Sequence, residues 1–221
     1  MLRVSSLASV AAALITTPLI GLPAWGAACV SAPVATYEAS GFSCNVDGLL
    51  FSNFEVNVTV SGGGSVTLGN ISPFSFGNEF GLSLNYTSLA PFGGATADIA
   101  WQYSVSGIGG LLINDAFLAL AGNTTGDGAA QVSEILTNGV TLSLGSPGST
   151  TATFAPIGTL GVLKDQIDFV PPGHVGTSTT SILTNAFSLV PGPVVGAGLP
   201  GLVVACGGLL ALARRRRQKV A

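Results

Sequence analysis

The chain has 221 residues, 48% of them hydrophobic and 8% charged, with 31 Gly and 12 Pro. A soluble globular protein is about 25% charged, so a mean hydropathy of +0.63 is closer to that of a membrane protein until the apolar residues are located. Seven Lys and Arg against ten Asp and Glu give a formal charge of −3, which argues against nucleic-acid binding, a function that needs a basic surface to replace phosphate counterions.

The N-terminus places Arg3 before an uncharged apolar stretch from Leu7 to Leu22 and the small residues Ala24-Trp25-Gly26-Ala27-Ala28. This is the layout of a secretory signal peptide, assigned to residues 1–28 and absent from the mature protein. Cleavage after Gly26 or Ala28 puts small residues at both recognition positions. Pro18 breaks the apolar run, which is short for an uncleaved anchor.

Residues 29–190 form the exported domain. It holds all ten acids and a single cation, Lys164. Cys29 and Cys44 fall in this part, where an oxidising compartment favours their pairing; closing a loop of about 15 residues adds about 3 kcal/mol. The alternative is a lipidated Cys29 at the mature N-terminus, although Gly26 stands three residues before it where lipoprotein signals carry Leu.

The apolar period in this domain is two. Phe54, Val56, Val58 and Val60 alternate with Glu55, Asn57 and Thr59, and Ile99, Trp101, Tyr103 and Val105 alternate with Ala100, Gln102 and Ser104. Leu82, Leu84 and Tyr86 alternate with Ser83 and Asn85. Such runs are half-buried strands, on which Trp101, Tyr103 and Tyr86 are core residues rather than a stacking platform. Turn signals separate them at Ser61 to Gly64, Pro91 to Gly94, Asn123 to Gly128 and Asn138-Gly139, the last predicting a hairpin between Val132–Leu136 and Val140–Leu144. No window shows a convincing helical stripe. The fold class is therefore all-β, an antiparallel β-sandwich of about eight to ten strands.

The C-terminus mirrors the start. After Val190-Pro191-Gly192-Pro193 comes an uncharged stretch, Val194 to Ala213, then Arg214, Arg215, Arg216, Arg217 and Lys219. About 20 residues at about 1.5 Å each give about 30 Å of helix, enough to cross a bilayer. The arginines then belong in the cytoplasm and residues 29–190 outside.

A proline-bearing motif (Pro191, Gly192, Pro193), a single transmembrane helix (194–213) and a basic end (214–219), behind a signal peptide, resemble the PEP-CTERM sorting tail, with Pro-Gly-Pro standing where the family motif has Pro-Glu-Pro. The resemblance covers about Val190 to Ala221. It implies recognition by an exosortase, a membrane cysteine protease-transpeptidase that cuts near the motif and releases or transfers the protein to the surface. It also implies anchoring in the inner membrane before processing, and a cell-surface or extracellular location afterwards.

Catalytic chemistry finds little support. The one histidine, His174, lies in a Pro171-Pro172-Gly173-His174 loop without a triad pattern, and no Gly-x-Ser-x-Gly elbow occurs. The cysteines and His174 lack zinc-ligand spacing. The Gly-x-Gly-x-x-Gly at Gly196, Gly198 and Gly201 lies in the span, without a preceding strand. The acids read mainly as a solvated surface that keeps an exported domain soluble. Asp127, Asp165 and Asp168 are candidates for calcium, and Glu79, Asp98, Asp115 and Glu134 are weighed as a glycosidase carboxylate pair.

These features predict a non-enzymatic cell-surface or extracellular-matrix protein associated with exopolysaccharide in a biofilm. The alternative is a polysaccharide-binding module, with or without calcium. A carboxylate-pair hydrolase comes third.

Overall fold

The computed structural model describes residues 26–192. The first 25 residues of the predicted signal peptide, Pro193 of the predicted sorting motif, the predicted span at 194–213 and the basic end lie outside the described residues. Among the described residues no helix is long and apolar enough to cross a membrane.

The chain runs through β1 (Ala27–Ala28), β2 (Ala32–Pro33), α1 (Val34–Tyr37), β3 (Ser43–Val46), β4 (Leu49–Ser61), β5 (Ser65–Phe76), β6 (Glu79–Ala90), β7 (Thr96–Gly107), β8 (Leu111–Gly126), β9 (Ala129–Leu136), β10 (Thr141–Leu144), β11 (Gly148–Ile157), β12 (Thr159–Phe169), β13 (Gly176–Phe187) and β14 (Leu189–Pro191). The strands outnumber the eight to ten expected because β1, β2, β3 and β14 are two to four residues long. Runs that short carry no readable alternation.

Two sheets stack face to face. The first has the order β1-β3-β4-β7-β12-β9-β10 and the second β11-β8-β13-β6-β5-β2, with β14 also pairing β8. All pairings are antiparallel except the short parallel contact of β1 with β3. The three predicted alternating runs lie in β4, β6 and β7, with Leu82, Leu84, Ile99, Trp101 and Val105 fully buried between the sheets. Phe51, Leu118, Leu183 and Phe187 complete the centre of the core.

Turn chemistry fixes the registers. Asp47 (φ 45°) and Gly48 (φ 95°) are both left-handed and join Val46 to its partner Leu49, the geometry of a type I′ hairpin. The predicted hairpin at Asn138-Gly139 is present, but only Gly139 is left-handed. Gly139 donates to the Leu136 carbonyl, Leu136 donates to that of Val140, and the Asn138 side chain accepts from the Val140 N–H. This is a three-residue loop whose third position needs positive φ, so glycine is used there and Asn138 stays in the ordinary region.

Cys29 and Cys44 form a disulfide with Cα atoms 4.8 Å apart. The bond fastens the segment after β1 to β3, and it occupies the sulfur that lipidation would need.

Candidate functional site

The strand period sends alternate side chains of β4, β7, β12 and β9 to the outer face of the first sheet. On β4 these are Glu55 and Asn57; on β7, Asp98, Gln102 and Ser104; on β12, Leu163, Asp165 and Ile167; on β9, Gln131, Ser133 and Ile135. A left-handed Asn53 (φ 58°) marks the bulge that shifts the β4 register between Ser52 and Glu55. The extra residue re-aims the strand so that Glu55 lies opposite Gln102.

Hydrogen bonds organise the row. Glu55 accepts from Gln102 Nε2 through one oxygen and from Asn57 Nδ2 at 2.8 Å through the other. Asn53 Nδ2 donates to Ser104 Oγ at 3.2 Å. Asp98 and Asp165 lie on adjacent strands in hydrogen-bonding contact, and Asp98 is pushed up to about 6, by burial first and by the Asp165 charge second.

Two hollows are lined by residues of this face. One, of about 400 Å³, is lined by Asn53, Gln102, Ser104, Ile135, Gly161 and Leu163. Its floor depends on glycine: a Cβ at Gly161 would stand 2.7 Å from Thr137 Cγ2. The other, of about 320 Å³, is lined by Thr96, Gln131, Ile167, Phe169, Pro171 and Pro172. Ile135 and Leu163 remain 52% and 42% exposed, leaving apolar surface beside the amides and carboxylates. Such a face offers fixed donors, acceptors and apolar contacts on rigid strands, which suits a hydroxyl-rich ligand.

The three calcium candidates are not brought together. Asp165 is on the outer face just described. Asp168, three residues on and therefore on the opposite side of β12, is fully buried and accepts from Ser178 Oγ and Thr180 Oγ1 at 2.6 Å each and from Gln166 Nε2 at 3.1 Å. Asp127 is exposed beside His174, with Oδ2 3.2 Å from Nδ1. Among the described residues no group of three or more His, Cys, Asp or Glu could hold a metal ion.

The four acids considered for hydrolysis do not form one group, although two of them come together. Asp98 faces outward and Glu134 lies fully buried between the sheets. Glu79 and Asp115 meet at Ser188, whose Oγ donates to Glu79 at 3.2 Å and whose N–H donates to Asp115 at 2.6 Å. Burial, then the Asp115 charge, raises the Glu79 carboxyl. The reading of the acids as a solvated surface is corrected here: Asp115, Glu134 and Asp168 are buried. Each stands in an inward or crowded position where hydrogen-bond donors compensate its burial. Of the sorting motif, Pro191 ends β14 and Gly192 donates to the Gly110 carbonyl.

Sequence reasoning missed Asn53, Gln131 and the Gly161 floor. The bulge at Asn53 has no sequence signature beyond one Asn in a strand, and Gly161 reads only as a weak point in an alternating run.

No family model matches the chain, and no curated protein matches it. Among solved structures, TmCBM61 in complex with beta-1,4-galactotriose aligns at a TM-score of 0.31 and 11% identity, over 72% of this chain and 94% of that one. The family 11 carbohydrate-binding module from Clostridium thermocellum, in complex with a beta-1,3-1,4-mixed-linked tetrasaccharide, aligns at 0.23 and 12%, over 67% and 91%. A family two carbohydrate esterase from Cellvibrio japonicus aligns at 0.21 and 9%, over 66% and 38%. At these scores the likenesses lend no residue, ligand or activity to this chain.

Proposed function

We propose that this protein is exported and holds polysaccharide on the outer face of its first sheet, without catalysing a reaction. The observation that carries the reading is the set of polar side chains on that face, Glu55 bonded to Gln102 and Asn57 with Asp98 and Asp165 on the same face, together with two hollows that have Ile135, Leu163 and Phe169 in their lining. Ring hydroxyls bind to fixed amides and carboxylates, and sugar C–H faces pack on apolar rims. The rigid strands keep the ordering cost of binding low.

The sorting tail remains part of this proposal on its residues alone: Pro191-Gly192-Pro193, the span at 194–213 and Arg214 to Arg217 would deliver the domain to the surface through an exosortase. Within the same reading, cleavage of the leader after Gly26 would preserve β1, whereas cleavage after Ala28 would remove it.

Retardation in gels containing acidic or neutral polysaccharides, run with and without a chelator, tests the binding. Retardation that is weakened in Gln102→Ala and unaffected by chelator is the expected result. Loss on chelation would bring in calcium, and absence of retardation on every polysaccharide would remove the binding reading.

A further inference from the structure

Lys164 is the only Lys or Arg between Arg3 and Arg214, and it is not on the surface. It points inward from β12 and is fully buried, opposite its cross-strand partner Glu134 on β9, also fully buried. The Lys164 Nζ is bonded to Glu134 Oε2. Asn185, inward-facing on β13 of the other sheet and fully buried, donates through Nδ2 to Glu134 Oε1 at 3.2 Å and Oε2 at 3.3 Å, and to the Phe117 carbonyl at 2.9 Å. Tyr103, 3% exposed, donates its hydroxyl to Asn185 Oδ1.

An amine and a carboxamide therefore meet on one carboxylate, and a phenol holds the carboxamide oxygen. Burying an ion pair of this kind costs several kcal/mol per ion, and an apolar pair of similar volume serves stability as well or better. The arrangement instead matches the parts of an acyl transfer: nucleophile, proton carrier, electrophile and oxyanion donor.

We propose that Lys164 and Asn185 join in an intramolecular amide bond, formed by the folded protein itself, that cross-links the two sheets. Glu134 takes a proton from the Lys164 ammonium, and the neutral amine attacks Asn185 Cγ. The developing charge on Oδ1 is stabilised by the Tyr103 hydroxyl. Glu134 returns the proton to Nδ2 and takes a second one from Nζ as the Cγ–Nδ2 bond breaks; ammonia leaves carrying that second proton as ammonium, which restores the Glu134 carboxylate as the Nζ–Cγ amide is completed. Atoms and charge balance with no oxidant, metal or activated co-substrate. Burial brings the Lys164 amine down to about 8, against the opposing pull of Glu134, which eases the first proton transfer. Exclusion of water protects the carboxamide from hydrolysis and favours the neutral amine. The cross-link is independent of the polysaccharide reading.

The isolation of Lys164 in the sequence makes the test direct. The full chain is exported, purified, denatured, reduced and digested with trypsin. An acylated lysine is not a trypsin site, so the expected product is one peptide running uncut through residue 164, lighter by one ammonia than its sequence. Fragmentation after a second protease should yield a branched peptide joining Lys164 to Asn185. Glu134→Gln or Asn185→Ala should restore cleavage after Lys164 and the full mass. If those variants do not fold, the wild-type digest decides alone: complete cleavage after Lys164 with no mass deficit, in folded disulfide-bonded protein, overturns the proposal.

Discussion

Asp98 on β7 and Asp165 on β12 stand on one outward face in hydrogen-bonding contact, and Asp98 keeps its proton to about pH 6 because burial and its neighbour's charge both oppose ionisation. In the unfolded chain the same carboxyl titrates near its ordinary 3.8. The native state therefore binds more protons across that interval, and stability falls as pH rises from about 4 to about 6. Asp98→Asn removes the repulsion while keeping a donor for Asp165. Thermal melts from pH 4 to pH 8 should show the variant melting higher than wild type at pH 7, with the gain vanishing at pH 4. A gain independent of pH would assign it to something other than this pair.

Glu55 binds both Gln102 and Asn57, so its removal disorders the centre of the proposed binding row. Glu55→Ala should weaken polysaccharide retention about tenfold, the equivalent of about 1.4 kcal/mol, without lowering the melting temperature by more than a few degrees. Affinity electrophoresis beside a thermal melt separates the two effects. Unchanged retention would move the binding surface elsewhere.

The Cys29–Cys44 bond closes a loop with a sequence separation of 15. Cys44→Ser should cost about 3 kcal/mol, read as a lower midpoint in guanidinium unfolding, with the same loss on reducing the wild type. A midpoint insensitive to reductant would mean that β1 and β3 contribute nothing to the cooperative unit.

Asp168 accepts three side-chain hydrogen bonds in a fully buried setting. Asp168→Ala leaves Ser178, Thr180 and Gln166 without their acceptor, at an expected cost of about 3–5 kcal/mol. Asp168→Asn retains an acceptor oxygen and should lose less. Equal loss in both variants would show that the charge, rather than the oxygen, satisfies the cluster.

The period-two runs at Phe54–Val60, Leu82–Tyr86 and Ile99–Val105 identified an all-β sandwich because alternation needs only local sequence. The two cysteines at 29 and 44, with the expectation of export, pointed to the disulfide in the same way. Asp47-Gly48 also carries an Asp-Gly type I′ signal, but the flanking β3 is too short to show a strand pattern, and that hairpin emerges only in the structure. The polar row was legible only as outward residues of strands. That Glu55 meets Gln102, or Asp98 meets Asp165, follows from registers set by turns and by the bulge at Asn53.

Glu134, Lys164 and Asp168 illustrate where sequence stops. Parity places all three on the inward files of β9 and β12, but a charged residue in an inward position is ordinarily read as a surface group, because burial without a partner is costly. Their partners Asn185, Ser178 and Thr180 come from β13 in the opposite sheet, and no local pattern announces a pairing across the core. The amino-acid sequence determined the strand class, the disulfide and the acidic character of residues 29–190, all properties of composition and near neighbours. Only the stacking of the two sheets decided which carboxylates face water and which meet a lysine in the interior, because that depends on contacts between residues distant along the chain.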